Sequence, residues 1–382
     1  MGGGRGPEAS GDNAVSTSVS WEQALAWRME RHHLTRRAAP ADLADVTGAI
    51  CGLHAQVMSC AELSLWARID GLSRDAVRQA LWVHRSLVKL WAARGTLYLL
   101  PTADLGTWLA ALSTMPKFGN IGHPQTDDLA AAIGRALTGR MLSREDLAAE
   151  VASSTGSPLF GEWLRSSWAS YLKAASFRGL ICFAPSVGGQ VRFTAPATWV
   201  PASIAGPAPA EAVAEITRRF LHGYAPATAD DLTRWWLGPP RPRRGAAMLA
   251  AAGDQVADVT VEGKRARVLA RDLPGMLAAT SPGVARLLPG FDPWVIGAAR
   301  HAPLFEPQHL ARVYRPQGWI APVLLVNGRI AGTWRHTRTG GRLTVEMDPF
   351  GRLPAWAREQ LHAEAERLAD FLGCTPATTS GW

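Results

Sequence analysis

The sequence lacks both the long apolar runs of membrane proteins and the paired cysteines of disulfide-stabilised domains. Nowhere in its 382 residues does it reach the roughly 18 consecutive apolar residues that a membrane-spanning helix needs. The amino terminus lacks the basic-then-apolar order of a signal peptide, so a cytoplasmic protein is expected. Cysteines occur only singly, at Cys51, Cys60, Cys182 and Cys374. We therefore expect reduced thiols, with neither a zinc ribbon nor a disulfide framework.

Patterns typical of metal sites are missing as well. The ten histidines form no His-Glu-x-x-His helix, and the carboxylates do not cluster at metal-ligand spacing. The sequence therefore predicts a protein that needs no metal and no cofactor.

Lysine is scarce, and acidic residues are fewer than basic ones. Only four of the 40 basic residues are lysines, and 32 acidic residues leave a net charge of +8 with a pI near 9.8. A GC-rich genome would explain arginine in place of lysine, but it would not explain the excess of basic groups. Nucleic acid is therefore the first expected partner, and an anionic membrane the second.

The chain divides into a tail and four segments by composition and periodicity. Residues 1–20 are rich in glycine and serine and poor in large apolar groups, so this tail is expected to be disordered. The expected segments are three helix-and-hairpin units at 21–120, 121–205 and 206–280, followed by a β-rich region at 281–382.

The first unit reads as helices followed by two short strands. Apolar residues at helical spacing predict helices over 21–37, 42–53 and 59–69 and a fourth one capped by Ser73. The period then changes in "LVKLWAARGTLYLL", which breaks at Arg94-Gly95 into two strands. Helices followed by a hairpin are the order of a winged helix.

The next two units repeat this order. In the second, Ser143 is expected to cap one helix, "LFGEWLRSSWASYLKAA" is a helix with Leu164, Trp168 and Leu172 on its apolar stripe, and Gly188-Gly189 turns a hairpin. In the third, Thr228 caps a helix and strands flank Gly263. The last segment is mostly strand from 286 to 346, with tight turns at Asn327-Gly328 and Gly340-Gly341, and a closing helix over 354–372.

Five separate stretches carry a family resemblance. "GLHAQ...AELSLWARI", "LVKLWAARGTLYLLP", "YAPATADDLTRWW", "GFDPWVIG" and "VLLVNGRIAGTW" occur in this order and resemble the winged-helix DNA-binding family that contains the AlkZ and YcaQ glycosylases. One departure is Tyr98, where similar segments usually carry histidine. The resemblance implies an α+β, mostly α fold: three tandem winged helices on a carboxyl-terminal β-barrel-like domain, C-shaped around a basic channel.

The resemblance also implies a catalytic motif of two polar residues flanking an apolar one. Relatives of the AlkZ type carry Gln-x-Gln and those of the YcaQ type Gln-x-Asp, and the matching residues here are His54 and Gln56. Without the resemblance, a lone histidine at a helix end is more often structural. As a base or water ligand, His54 would lose activity below about pH 6, near its ordinary pKa.

Six basic residues are candidates for DNA contact. Arg165 and Lys173 lie off the apolar stripe of the second unit's helix, where the alternative is an ordinary solvated face. Arg335, Arg338 and Arg342 surround the Gly340-Gly341 turn, and this tip could probe the minor groove or stand free in solvent. Arg94 can contact a phosphate or fix its hairpin through a carboxylate, and the structural role is preferred.

The expected activity is that of a monofunctional DNA glycosylase acting as a monomer on double-stranded DNA. It would hydrolyse the N-glycosidic bond of N7- or N3-alkylated purines, including bulky natural-product adducts or interstrand crosslinks, in repair or self-resistance. A lyase would need an amine for a Schiff base, and Lys89 is the single lysine among the first hundred residues. The alternative is a winged-helix regulator or damage sensor without catalysis.

Overall fold

A computed structural model describes residues 17–115, 125–166, 170–200, 204–238, 242–297 and 302–380 as a mixed α+β protein. Helices of eleven to eighteen residues alternate with small sheets through most of the chain. None of the helices in these ranges is long and apolar enough to cross a membrane. Within the same ranges, histidines, cysteines and carboxylates form no cluster that could hold a metal ion.

The first part of the chain contains five helices and a three-stranded sheet. Its elements are β1 (Thr17–Val19), α1 (Trp21–Arg31), α2 (Leu43–Ala49), β2 (Leu53–His54), α3 (Met58–Trp66), α4 (Ala76–Trp82), β3 (Leu87–Trp91), β4 (Leu97–Pro101) and α5 (Leu105–Leu112). The hairpin β3–β4 confirms the two strands predicted around Arg94-Gly95. The short strand β2 pairs with β4 on its other side, so the sheet order is β2-β4-β3.

The helices of this part end earlier than the sequence pattern predicts. Helix α1 begins at a capping box between Ser20 and Gln23 but ends at Arg31, because His33 takes a left-handed backbone with φ 53°. Helix α2 ends before Cys51 and Gly52, which are also left-handed. Ser73 does not cap α4, which begins at Ala76 with Asp75 before it. These local backbone reversals turn the chain from helix into β2.

The second part repeats the helix-then-hairpin order. Its elements are α6 (Gln125–Leu137), β5 (Leu142–Ser143), α7 (Arg144–Thr155), α8 (Pro158–Ser166), α9 (Ser170–Phe177), β6 (Cys182–Val187), β7 (Gln190–Thr194) and α10 (Pro196–Trp199). Ser143 caps α7 through the Asp146 amide, as predicted. Leu164 and Leu172 are buried on two successive helices, while Trp168 lies outside the described residues.

The third part carries another small sheet. Its elements are α11 (Pro209–Tyr224), α12 (Ala229–Leu237), α13 (Pro242–Ala251), β8 (Val256–Val261), β9 (Lys264–Leu269) and α14 (Leu273–Ala278). Thr228 caps α12, and β8–β9 form the hairpin predicted around Gly263. Strand β1 pairs in parallel with β8, so residues 17–19 belong to this sheet and not to a disordered tail. The rest of the expected tail, residues 1–16, lies outside the described residues.

The last part is an open sheet covered by a long helix. Its elements are β10 (Ala285–Leu288), α15 (Pro293–Ile296), α16 (Leu310–Val313), β11 (Val323–Val326), β12 (Arg329–Thr339), β13 (Arg342–Pro349), α17 (Ala355–Leu372) and β14 (Thr375–Ser380). In the strand order β10-β11-β12-β13-β14, the two edge strands β10 and β14 do not pair with each other. The sheet is therefore open, and the expected barrel-like form is wrong. Helix α17 packs against both β10 and β14, so the sheet buries an apolar face without closing.

Short 3₁₀ helices connect several of these elements. They lie at Pro40–Asp42, Ala93–Gly95, Thr102–Asp104, Gly253–Gln255, Ala270–Asp272, Pro307–His309 and Pro316–Gly318.

Two hydrophobic cores meet at the β2-β4-β3 sheet. Leu53 and Leu99 belong to the core that contains the carboxyl-terminal sheet and α17. Tyr98 and Leu100, the neighbours of Leu99 along β4, point to the other face of the sheet. They belong to the core of the remaining helices and small sheets. A residue on β2 therefore faces one core or the other according to its place in the strand.

Candidate active site

Strand β2 holds His54 at the edge of the three-stranded sheet. Leu53 pairs with Leu99 and His54 with Tyr98 in an antiparallel ladder. The ladder continues beyond the strand, because the Ala55 amide donates to the Leu97 carbonyl at 2.7 Å. Ala55 is fully buried in the same core as Leu53. Since side chains alternate along extended backbone, the His54 side chain lies on the face opposite Leu53 and Ala55.

The His54 imidazole is packed between aromatic rings. It is 9% exposed, and it stacks on Phe291 with ring centroids 5.3 Å apart and planes 22° from parallel. Tyr98 meets it edge-on at 6.2 Å. Neither ring nitrogen is hydrogen-bonded to another described residue, and Nδ1 is buried. The rings therefore fix the plane of the imidazole, while no described residue hydrogen-bonds to either of its nitrogens.

Burial keeps His54 neutral. Desolvation, followed by the positive charge of Arg94, lowers the pKa of His54 from 6.5 to about 4. The expectation that His54 would charge near pH 6 is therefore wrong, because its imidazole does not stand in water. At neutral pH the ring is uncharged and can accept a hydrogen bond.

Gln56 is the exposed member of the pair. It lies in the bend between β2 and α3, and its side chain is open to solvent. The buried imidazole and the exposed amide thus differ in solvation, although they lie two residues apart.

Arg94 lies beside this pair, in the turn between β3 and β4. Its backbone is left-handed with φ 58°, and its guanidinium lies 3.5 Å from the Tyr98 hydroxyl, at the limit of a hydrogen bond. Arg94 forms no ion pair within the described part of the chain, so the carboxylate that was expected to fix it is not found there. Its guanidinium remains a source of positive potential for His54.

The loop at 290–292 brings Phe291 to the imidazole from the far end of the chain. Phe291 has a left-handed backbone with φ 57°. The next residue, Asp292, accepts two hydrogen bonds from Arg68 at 2.7 and 2.8 Å, with both side chains fully buried. Asp292 also caps α15 by accepting from the Trp294 amide at 2.9 Å. This ion pair ties the loop to the end of α3.

Sequence reasoning did not single out Phe291 or the Arg68–Asp292 pair. The segment "GFDPWVIG" contributed only to the resemblance. A contact between residues 68 and 292 spans 224 positions, which local patterns do not reveal.

The two candidate DNA contacts of the second part lie on neighbouring helices. Arg165, on α8, pairs with Glu145 of α7 at 2.9 Å, and both side chains are exposed. Lys173, on α9, is half-buried, and this burial lowers its pKa. The Arg165 charge is thus partly neutralised by the protein itself.

The three arginines of the β12–β13 hairpin have different surroundings. Arg335 lies opposite Glu346 in the ladder and forms an ion pair with it, with a 2.9 Å bond from Nε. Arg338 and Arg342 are exposed near the turn, and neither pairs with a carboxylate among the residues that the structure describes. By strand alternation, Arg342 lies on the same face as Arg335, and Arg338 on the other. The tip therefore carries unneutralised positive charge on both faces.

Comparison with known proteins identifies what this architecture is similar to. The family model "DNA glycosylase AlkZ-like" matches residues 47–371. An "Interstrand DNA cross-link repair glycosylase" from Streptomyces sahachiroi is 34% identical over 366 residues, covering 92% of this chain and 97% of the relative. The solved structure of Streptomyces sahachiroi DNA glycosylase AlkZ superposes with a TM-score of 0.85 at 32% identity, covering 96% of this chain and 100% of that one.

Proposed function

The chain belongs to the AlkZ-like family of DNA glycosylases, and from that premise we propose that His54 and Gln56 catalyse hydrolysis of the N-glycosidic bond of N7- or N3-alkylated purines. The observation that carries this proposal is the neutral imidazole of His54, with no hydrogen-bond partner among the described residues, two positions before the exposed amide of Gln56. Two hydrogen-bonding groups so placed can hold one water molecule between them.

The chemistry of the substrate explains why two uncharged side chains suffice. A purine alkylated at N7 or N3 already carries positive charge, so it leaves with the glycosidic electron pair and needs no proton donor. The sugar passes through an oxocarbenium-like state, which water must attack. The enzyme therefore needs to place the water and to avoid adding positive charge beside the sugar.

His54 meets both needs while it is neutral. Its nitrogen lone pair accepts a hydrogen bond from the attacking water, and the amide oxygen of Gln56 can accept a second one. As the new carbon–oxygen bond forms at C1′, the water proton passes to the imidazole and then to solvent. With a pKa of about 4, His54 is a weak base, so water positioning is its main role.

Lys89 supports the monofunctional assignment by its place in the sheet. It lies on β3, as predicted, opposite Leu99, which in turn pairs with Leu53. Residues in one such row share a face of the sheet, and this face is the one opposite His54. An amine on the far face is poorly placed to form a Schiff base with the C1′ that His54 would serve.

Bulky adducts and interstrand crosslinks form the proposed substrate class. The curated relative is named for crosslink repair, and an adduct of this kind would also fit a role in resistance to DNA-alkylating natural products. Contact with duplex DNA is proposed for three winged helices, corresponding to the three small sheets with their preceding helices, and for the hairpin tip. Arg94 would contact a DNA phosphate beside the lesion.

Base release by matched variants tests the proposal. Duplex DNA containing N7-methylguanine, a bulky N7 monoadduct or an N7 crosslink is incubated with wild type, His54→Ala and Gln56→Ala, and abasic sites are counted. We expect release by wild type and a loss of roughly 100-fold or more in the histidine variant, as for removal of a general base or water-positioning group. The matched controls are His84→Ala and Gln79→Ala, both exposed and outside the site.

The outcomes separate the candidate functions. Equal loss in the control variants would show general damage to the protein and contradict the assignment of His54 and Gln56. Binding of damaged DNA without release by wild type would support the alternative, a regulator or damage sensor.

A further inference from the structure

Large apolar side chains stand in solvent on one short segment of the carboxyl-terminal part. Of the nine exposed large apolar side chains within the described ranges, Leu310, Tyr314 and Trp319 lie within ten residues of one another. Trp319 is 46% exposed. Exposed apolar side chains that lie close together often mark an interaction site, whereas single scattered ones are normal on a protein surface.

Trp319 is connected to His54 through one ring. Its indole meets Phe291 edge-on with centroids 4.9 Å apart and planes 78° from parallel. Phe291 in turn stacks on His54 at 5.3 Å. Three rings thus lead from the buried imidazole to the exposed indole.

The backbone on both sides of this ring series is held in place. The Arg315 amide donates to the Trp319 carbonyl at 2.8 Å, and Tyr314 bridges to Ile320, which closes a tight reversal around the left-handed Gln317. Ile320 also passes so close to the neighbouring loop that a Cβ on Gly290 would lie 2.8 Å from its carbonyl oxygen. The indole is therefore presented on a rigid turn.

The left-handed backbone of Phe291 points to a functional cause. Such a conformation is rare for a bulky side chain and persists only where surrounding contacts hold it. Here the Arg68–Asp292 ion pair and the cap of α15 hold it, and the result is that the phenyl ring lies between His54 and Trp319.

An exposed cation accompanies the indole. Arg315 is open to solvent and forms no ion pair with the described residues. Exposed aromatic rings beside unpaired cations are the means by which proteins hold unstacked nucleotides, because the ring stacks on a base and the cation meets a phosphate.

We propose that Trp319, supported by Phe291, forms a stacking site for a planar π-system beside the bond that His54 serves. Two sources share this chemistry: a DNA base next to the lesion, and an aromatic ring carried by the alkyl adduct. The inference rests on the proposed function, since it places the site relative to the reacting nucleotide. It adds a substrate-recognising residue that lies outside the His54–Gln56 motif.

Substitution of Trp319 with two substrates distinguishes the sources. Base release by wild type, Trp319→Ala and Trp319→Phe is measured on duplexes with N7-methylguanine and with an N7 adduct bearing a polycyclic aromatic ring. Loss of one stacking contact should lower kcat/KM of the alanine variant by roughly 5- to 150-fold, and phenylalanine should restore most of it. Loss on both substrates assigns the stacked ring to DNA, and loss on the aromatic adduct alone assigns it to the adduct.

The fluorescence of Trp319 tests stacking directly, because addition of damaged DNA would not quench it if Trp319 had only a structural role. Because the chain has 16 tryptophans, the Trp319 signal is taken as the difference between His54→Ala and the His54→Ala/Trp319→Phe double variant. Stacking on a base or adduct ring should quench this difference signal when damaged DNA is added. Leu277→Ala, an exposed apolar change on α14, is the control for loss of surface apolar area.

Specific outcomes would overturn the stacking site. If Trp319→Ala matches wild type on both substrates, or if Leu277→Ala loses as much, Trp319 does not stack on the substrate. Failure of the proposed function looks different, because wild type itself would then release no base.

Discussion

At the scale of single residues, the protonation state of His54 follows from packing, not from a hydrogen-bonded partner. Phe291 and Tyr98 remove water from the ring, and Arg94 adds repulsion against a second positive charge. Both effects favour the neutral imidazole. A neutral ring also does not repel a cationic alkylpurine, which a charged histidine at this position would do.

This state predicts how activity depends on pH. Because the pKa of His54 is lowered to about 4, the neutral form, and with it base release, should persist as the pH falls through 6 and be lost as it falls through about 4. Single-turnover release of N7-methylguanine between pH 3.5 and 8, corrected for enzyme-free loss, measures the profile. His54→Gln should abolish this acid limb, since glutamine does not titrate.

The same pH profile of base release is measured for the Arg94→Ala variant. Removing the cation should raise the pKa of His54 and move the acid limb to higher pH. The limb should stay below the ordinary histidine value of 6.5, because burial is the larger cause and remains. A wild-type limb near 6.5, or one that survives in His54→Gln, would contradict the assignment.

At the scale of elements, a buried ion pair joins α3 to the 290–292 loop that carries Phe291. Asp292→Ala would leave the fully buried Arg68 guanidinium without its partner. Loss of one member of such a pair costs about 3–5 kcal/mol of folding free energy. Urea unfolding should therefore show a large fall in stability for this variant.

The control for that prediction is an ion pair near the surface. Arg140 pairs with Glu150 at 3.0 Å with both side chains partly exposed, so Arg140→Ala should change the free energy of unfolding by no more than about 1 kcal/mol. Similar small effects for both variants would show that the Arg68–Asp292 pair does not hold the loop.

The elements themselves were largely predictable, because their signals are local. Hairpins with glycine turns at 188–189, 263, 328 and 340–341, and the caps Ser143 and Thr228, occur as the sequence indicates. Helix ends were less predictable: α4 ends at Trp82, and Val83, which follows it, is 68% exposed. A left-handed residue such as His33 ends a helix without any proline or glycine signal.

The candidate site was predictable only in part. His54 and Gln56 came from the family resemblance of five segments. The aromatic rings around His54 come from residues 98 and 291, which meet only when the two cores form. The lowered pKa depends on that tertiary contact, so no local pattern could have indicated it.

At the scale of the whole molecule, the site lies where the two hydrophobic cores meet. β2 belongs to a small amino-terminal sheet, yet Leu53, and Ala55 just after the strand, pack with the carboxyl-terminal sheet and α17. The opposite face of β2–β4 borders the second core through Tyr98. Residues from both ends of the chain are therefore needed to bury His54, which fits a family match that spans 47–371.

The excess of basic residues predicts a salt-dependent affinity for DNA, and we expect the hairpin tip to contribute to it. Arg338 and Arg342 are exposed and have no carboxylate partner among the described residues, whereas Arg335 is paired with Glu346. Each phosphate contact releases condensed counterions and adds about 0.9 to the slope of log K against log salt concentration. The Arg338→Ala/Arg342→Ala double variant should therefore reduce this slope by about 1.8, whatever the base sequence.

Comparison within the hairpin sharpens this prediction. Arg335→Ala should reduce the slope less than either unpaired arginine does, because Glu346 already offsets its charge. Arg358→Ala, an exposed arginine on α17, is the control for net charge alone. Fluorescence anisotropy of a labelled duplex between 50 and 200 mM salt gives the slopes. If the double variant keeps the wild-type slope, or if Arg358→Ala lowers it equally, the tip does not contact phosphates and the basic excess acts elsewhere on the protein.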